Sequence, residues 1–185
     1  MPIDANPWYY ITFLGDPRLW VAVALILFAS RIYFKNRGHH NLKWVGKFIL
    51  FSGFGMGAAF GASEVLKHIF QIPRACTEAT NAYCGGIGTL SFPSSHATIA
   101  FAVFTGIFYI IWHSYRTSRK KSTPFVWLWI FIIPVLVSLS RIMLGVHTPL
   151  DVIGGAVTGL LITVLFVEII CRVPVLREKW INNKK

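Results

Sequence analysis

Acidic side chains are scarce: seven Asp and Glu stand among 185 residues, against 18 Lys and Arg. Charge of either sign is in short supply at 14%, while hydrophobic residues reach 55%. With a mean hydropathy of +0.58, that composition excludes an ordinary soluble domain, and most of the chain must be covered by lipid or by other apolar segments. The shortage of carboxylates leaves too little to build a magnesium site, and the six histidines are not grouped at zinc-ligand spacing. Neither metal nor cofactor is expected. Residues 1–17 also lack the basic start and apolar core of a cleaved signal peptide. Their Trp8, Tyr9 and Tyr10 suit a short helix lying at headgroup level instead.

The net charge of +11 raises the question of nucleic acid. Its placement answers that question, because runs such as "KNRGHHNLKWVGK" and "SYRTSRKK" fall between apolar segments, as in cytoplasmic loops of membrane proteins. No nucleic-acid partner is expected. His39, His40, His113 and Glu168 fall on the same basic side and read as contacts to headgroups or to the interface. Five apolar segments stand out, at 19–34, 44–66, 97–112, 125–139 and 152–171. Several fall short of the ~20 residues needed to span a bilayer, so their ends must run into the flanking motifs. The expectation is one all-α domain over residues 1–185, a polytopic transmembrane bundle of five to six helices. If the first helix runs from outside to inside, 14 of the 18 Lys and Arg lie on the cytoplasmic side. Arg18 suits a helix-end anchor, whereas Lys67, Arg74 and Arg141 are stranded on the outer side. Cys76 and Cys84 share that side, where the compartment favours a disulfide over two free thiols.

Three outer clusters hold the chemistry. In "KHIFQIPR", Lys67 and Arg74 stand seven apart, on one helix face if the helix passes Pro73, and two cations suit a tetrahedral anion. Glu64 precedes Lys67 by three, a spacing that suits either holding that end of the site or a plain ion pair on the helix surface. In "FPSSHAT", Ser94 and Ser95 open a helix whose first amides suit an anion, with His96 beside it. A well-capped helix containing a histidine is the plainer reading of that stretch. In "SRIMLGVHTPLD", Thr148, Pro149 and Asp151 form a capping-box pattern, which alone would explain Asp151. Asp151 also lies four after His147, within reach of one ring nitrogen, leaving the other as nucleophile or base. Three cations, two histidines and free hydroxyls suit phosphoryl transfer.

These residues resemble the three signatures of the type 2 phosphatidic acid phosphatase family: Lys67 and Arg74 with six residues between, "PSSH" at 93–96, and Ser140-Arg141 followed by His147 and Asp151. The match covers 67–151. The resemblance implies His147 as the nucleophile, Asp151 as its orienting carboxylate and His96 as the acid for the leaving group. It implies Lys67, Arg74, Ser94, Ser95 and Arg141 as the phosphate-binding shell, and no metal. Two positions depart from the family: Ala75 stands where proline is usual, and Ser95 where glycine is usual. The resemblance implies an integral-membrane phosphatase acting on a lipid phosphate or diphosphate at the extracytoplasmic face. A polyprenyl (undecaprenyl-type) diphosphate leads, with phosphatidylglycerol phosphate, phosphatidic acid or lipid A as alternatives. A catalytically silent protein that binds anionic lipid is the rival from another class; it would have no use for a carboxylate-backed histidine. An ion or proton pathway would need polar residues at mid-membrane depth, and the helix centres are nearly all apolar.

Overall fold

The computed structural model describes residues 6–36, 43–74, 76, 84, 88–117 and 129–174. The expectations for Ala75, His39 and His40, and for most of the basic loops, lie outside the described residues. Helix α1 (Pro7–Phe13) starts where the Asn6 side chain accepts from Trp8 N at 3.1 Å and Pro7 needs no amide partner. Helix α2 (Pro17–Asn36) follows after a short turn. Helix α3 (Lys43–Phe48), a π-helical stretch (Ile49–Phe54) and α4 (Gly55–Phe70) run on as one helix. Helices α5 (Ser95–Thr117), α6 (Ile132–Met143) and α7 (Pro149–Arg172) complete the fold.

Among the described residues, four stretches are long and apolar enough to cross a membrane, at Pro17–Phe34, Trp44–Phe70, Ser95–Arg116 and Pro149–Arg172, with a shorter apolar helix at Trp129–Met143. The five apolar segments of the sequence are therefore all helical where described. They do run into the motifs: α5 begins inside "PSSH" and α7 inside the third signature. Among the described residues the architecture is all-α, apart from an isolated antiparallel bridge between Pro73 and Leu90.

Helix α5 is the hub, with α4, α6, α7 and the π-helical stretch packed on it. Its inward residues Ala97, Ile99, Ala102 and Val103 are fully enclosed. Leu25 and Ile26 on α2, and Ile153 and Leu161 on α7, are more than half exposed, as side chains facing lipid are. Lipid gives helices little hydrophobic reason to associate, so close backbone approach has to hold them together. Gly155 and Gly159 supply it on α7. A Cβ at Gly155 would lie 2.5 Å from Ser94 O, and one at Gly159 would lie 2.3 Å from Thr98 O. That contact draws the start of α5 against the start of α7, where Ser94 N donates to Asp151 O at 2.9 Å.

Candidate active site

The loop from Leu144 to Thr148 turns through Gly145, at φ 68°, and enters α7 through a complete capping box. Thr148 Oγ1 accepts from Asp151 N at 3.3 Å, and Asp151 Oδ2 accepts from Thr148 N at 2.8 Å. The same Oδ2 accepts from Ser91 Oγ at 2.6 Å and lies 3.5 Å from His147 Nδ1. Ser91 Oγ itself is 3.4 Å from that nitrogen. On the other edge of the ring, Arg74 Nη1 stands 3.2 Å from His147 Nε2. A guanidinium can only donate, so in this contact Nε2 accepts and the proton of a neutral ring sits on Nδ1, facing Ser91 and Asp151. Burial holds the His147 pKa well below its ordinary value; Arg74 and Arg141 push it the same way, and Asp151 opposes them. A neutral imidazole with its Nε2 lone pair facing a cation can act as a nucleophile toward an anionic group.

Arg74 does not arrive as its spacing from Lys67 suggested. Helix α4 stops at Phe70, where Gln71 takes the left-handed conformation (φ 50°) and its amide closes on Lys67 O. Pro73 then pairs with Leu90, and Arg74 N donates to Thr89 O at 2.8 Å. The guanidinium is fixed by the carbonyls of Val146 (2.7 Å), Leu90 and Gly88 (both 3.2 Å), so it clamps the loop that carries His147. Lys67 comes in from the end of α4, its ammonium 2.6 Å from Glu64 Oε1 and bonded to Ser95 Oγ. Ser95 Oγ donates in turn to Glu64 at 3.2 Å, so this hydroxyl is engaged on the Lys67 side of the site.

Among the described residues, two polar side chains of these clusters each keep an unpartnered buried atom. Ser94 is fully buried just before α5, and its hydroxyl has no hydrogen-bond partner. Arg141, 6% exposed in the last turn of α6, gives Nη1 to Thr12 Oγ1 at 2.8 Å, while its Nε has no partner. His96, in the first turn of α5, lies within electrostatic reach of Lys67, Arg74, Arg141 and His147. All three clusters therefore meet at one place. Cys76 and Cys84 form a disulfide and, with Leu144, Val146 and Trp8, make a small apolar cluster beside Arg74 and His147.

Two residues at this site, Ser91 and Thr12, were absent from the sequence reading. Ser91 stands two before Pro93 of the second signature and reaches Asp151 across 60 positions. Thr12 reaches Arg141 across 129 positions, and nothing local signals it. Among the described residues no group of three or more His, Cys, Asp or Glu is placed to hold a metal ion.

Comparison with known proteins decides the family. The sequence profile of the PAP2 superfamily matches residues 48–172. The chain belongs to the PAP2 superfamily. Among curated relatives it is 30% identical to an undecaprenyl-diphosphatase of Sulfolobus acidocaldarius, over 86% of this chain and 68% of that one. It is 28% identical to phosphatidylglycerophosphatase B of Bacillus subtilis, over 82% and 68%. A solved structure of a transmembrane PAP2-type phosphatidylglycerolphosphate phosphatase from Bacillus subtilis has the same fold, with a TM-score of 0.65 at 24% identity, covering 94% of this chain and 79% of that one. Membership in PAP2 and the run of apolar helices make this chain a multi-pass membrane protein of a phosphatase family.

Proposed function

We propose that this PAP2 protein hydrolyses a lipid phosphate through a phosphohistidine at His147, without a metal, at the extracytoplasmic face. The observation that carries the reading is the oriented ring: Asp151 and Ser91 behind Nδ1, and Arg74 at 3.2 Å before Nε2. Phosphate oxygens draw the Arg74 guanidinium onto themselves and free the Nε2 lone pair. Nε2 attacks phosphorus, an N–P bond forms, and the P–O bond to the lipid breaks as His96 gives its proton to the departing oxygen. Water then attacks phosphorus with His96 as base, the N–P bond breaks, and inorganic phosphate leaves. Asp151 and Ser91 stabilise the charged ring between the two steps. Lys67, Arg74 and Arg141, with the Ser94 hydroxyl, supply the charge stabilisation that a metal gives elsewhere.

A polyprenyl diphosphate, losing its terminal phosphate to give the monophosphate, is the leading substrate, supported by the undecaprenyl-diphosphatase relative. Phosphatidylglycerol phosphate is the second reading, supported by the phosphatidylglycerophosphatase relative. The outer face is supported by the excess of Lys and Arg on the opposite side of the membrane.

Phosphate release by the purified protein in detergent, with EDTA present and His147→Ala beside it, tests this over polyprenyl diphosphate, phosphatidylglycerol phosphate, phosphatidic acid and lipid A. Release that needs His147 and survives EDTA is expected. Lipid binding with no release from any of the four would favour a silent binding protein. Orientation is read separately in a background lacking Cys76 and Cys84. An impermeant thiol reagent applied to intact cells should label Gly88→Cys and spare Thr123→Cys; the reverse pattern would put the site inside.

A further inference from the structure

The segment ahead of the PAP2 match, which begins at residue 48, touches three site-bearing elements. Thr12, 8% exposed in α1, accepts from Arg141 Nη1. Gly15, in the turn after α1, lies against the start of α5: a Cβ there would stand 3.0 Å from His96 O and 2.7 Å from Val137 Cγ1. Trp8 packs on the cluster of Cys84, Leu144 and Val146, and Val146 adjoins His147. Helix α1 packs along α6, while Tyr9 and Tyr10 face outward at 45% and 63% exposure. We propose that α1 is a wall of the site and that Thr12 is a positioning residue, fixing the Arg141 guanidinium so that its unpartnered Nε–H meets the phosphate.

Chemistry supports the assignment. An arginine fork gives directed hydrogen bonds only when its plane is fixed, and a charged donor this deeply buried requires an acceptor. Thr12 Oγ1 is the acceptor the structure provides for Nη1, and among the described residues Nε has no partner. Thr12→Val keeps the shape and removes the acceptor; Thr12→Ser keeps the acceptor.

The inference rests on the phosphatase reading for its consequence and is tested apart from it by orthovanadate, a mimic of the transferring phosphoryl group. In titrations of the full chain in detergent, Thr12→Val should bind orthovanadate roughly tenfold more weakly, and Thr12→Ser should bind nearly as well as wild type. With a lipid substrate, Thr12→Val should raise KM more than it lowers kcat, a split that general loss of folded protein would not give. Equal orthovanadate affinity in Thr12→Val and wild type would overturn the assignment. So would a loss that Thr12→Ser fails to restore, or wild-type protein that binds no orthovanadate. If Thr12→Val does not fold, Thr12→Ala takes its place with the same two outcomes. Wild-type protein that binds orthovanadate but releases phosphate from no lipid would remove the phosphatase reading and leave this one to the titration.

Discussion

Around His147 the ring nitrogens face Arg74 on one edge and Ser91 with Asp151 on the other, and Asp151 is held twice more by Thr148. Ser94 Oγ and Arg141 Nε are as deeply buried and, among the described residues, have no partner. An unsatisfied buried polar atom costs about 1–3 kcal/mol, so such atoms persist where something else supplies the missing bond. The contrast separates two jobs. On the proposed mechanism, the His147 side is complete without a ligand, as a nucleophile that must already be aimed requires, and the Ser94 and Arg141 side would be completed by the anion.

The largest effect that tests this contrast is loss of the ring itself. His147→Ala should lower kcat by roughly 10⁴-fold or more, since removing a covalent nucleophile leaves only binding and charge stabilisation. The same side makes a pH prediction. The depressed His147 pKa keeps the ring neutral, and protonation removes the lone pair, so the acid limb of kcat/KM that reports His147 should lie below pH 6.5. A limb at or above 6.5 that disappears in His147 variants would contradict the assignment.

Next in size, His96→Ala should lower kcat/KM, which reports formation of the phosphohistidine, roughly 10²–10⁴-fold on a lipid substrate and far less on p-nitrophenyl phosphate, whose leaving group needs no proton. Equal losses on both would remove His96 as the acid. Two serines then divide the sides directly. Ser91→Ala breaks a 2.6 Å bond to a buried carboxylate and should lower both kcat, roughly ten- to a hundredfold, and thermal stability. Ser94→Ala, smallest of the set, should leave the stability of the ligand-free protein unchanged or slightly raised while weakening orthovanadate several-fold. If Ser94→Ala destabilises the free protein as Ser91→Ala does, the two sides are not built differently.

How much of this could be read from the chain depended on range. The third signature was legible because its parts are local: Thr148 caps the helix it starts, and His147 and Asp151 are four apart. At the first signature the one-face reading held only if the helix passed Pro73. A spacing of seven implies one face only on a continuing helix, and Gln71 ends α4 in a left-handed turn, so Arg74 is delivered by the Pro73–Leu90 bridge instead. Ser95 was expected near the phosphate as an extra side chain; its hydroxyl is bound between Lys67 and Glu64. Thr12 and Ser91 act through partners 129 and 60 positions away, and one sequence holds no signal for such pairs. Gly155 and Gly159, four apart on α7, were visible as small residues, but that they face Ser94 and Thr98 of α5 emerges only in the folded bundle.

The most direct test of the central claim is a rapid-quench experiment with a lipid substrate labelled in its terminal phosphate. Protein-bound label that is acid-labile and base-stable, maps to His147, and accumulates in wild type but not in His147→Ala is the expected result. Wild-type protein that turns over repeatedly with no protein-bound phosphate at any time, or with the label on another residue, would contradict it.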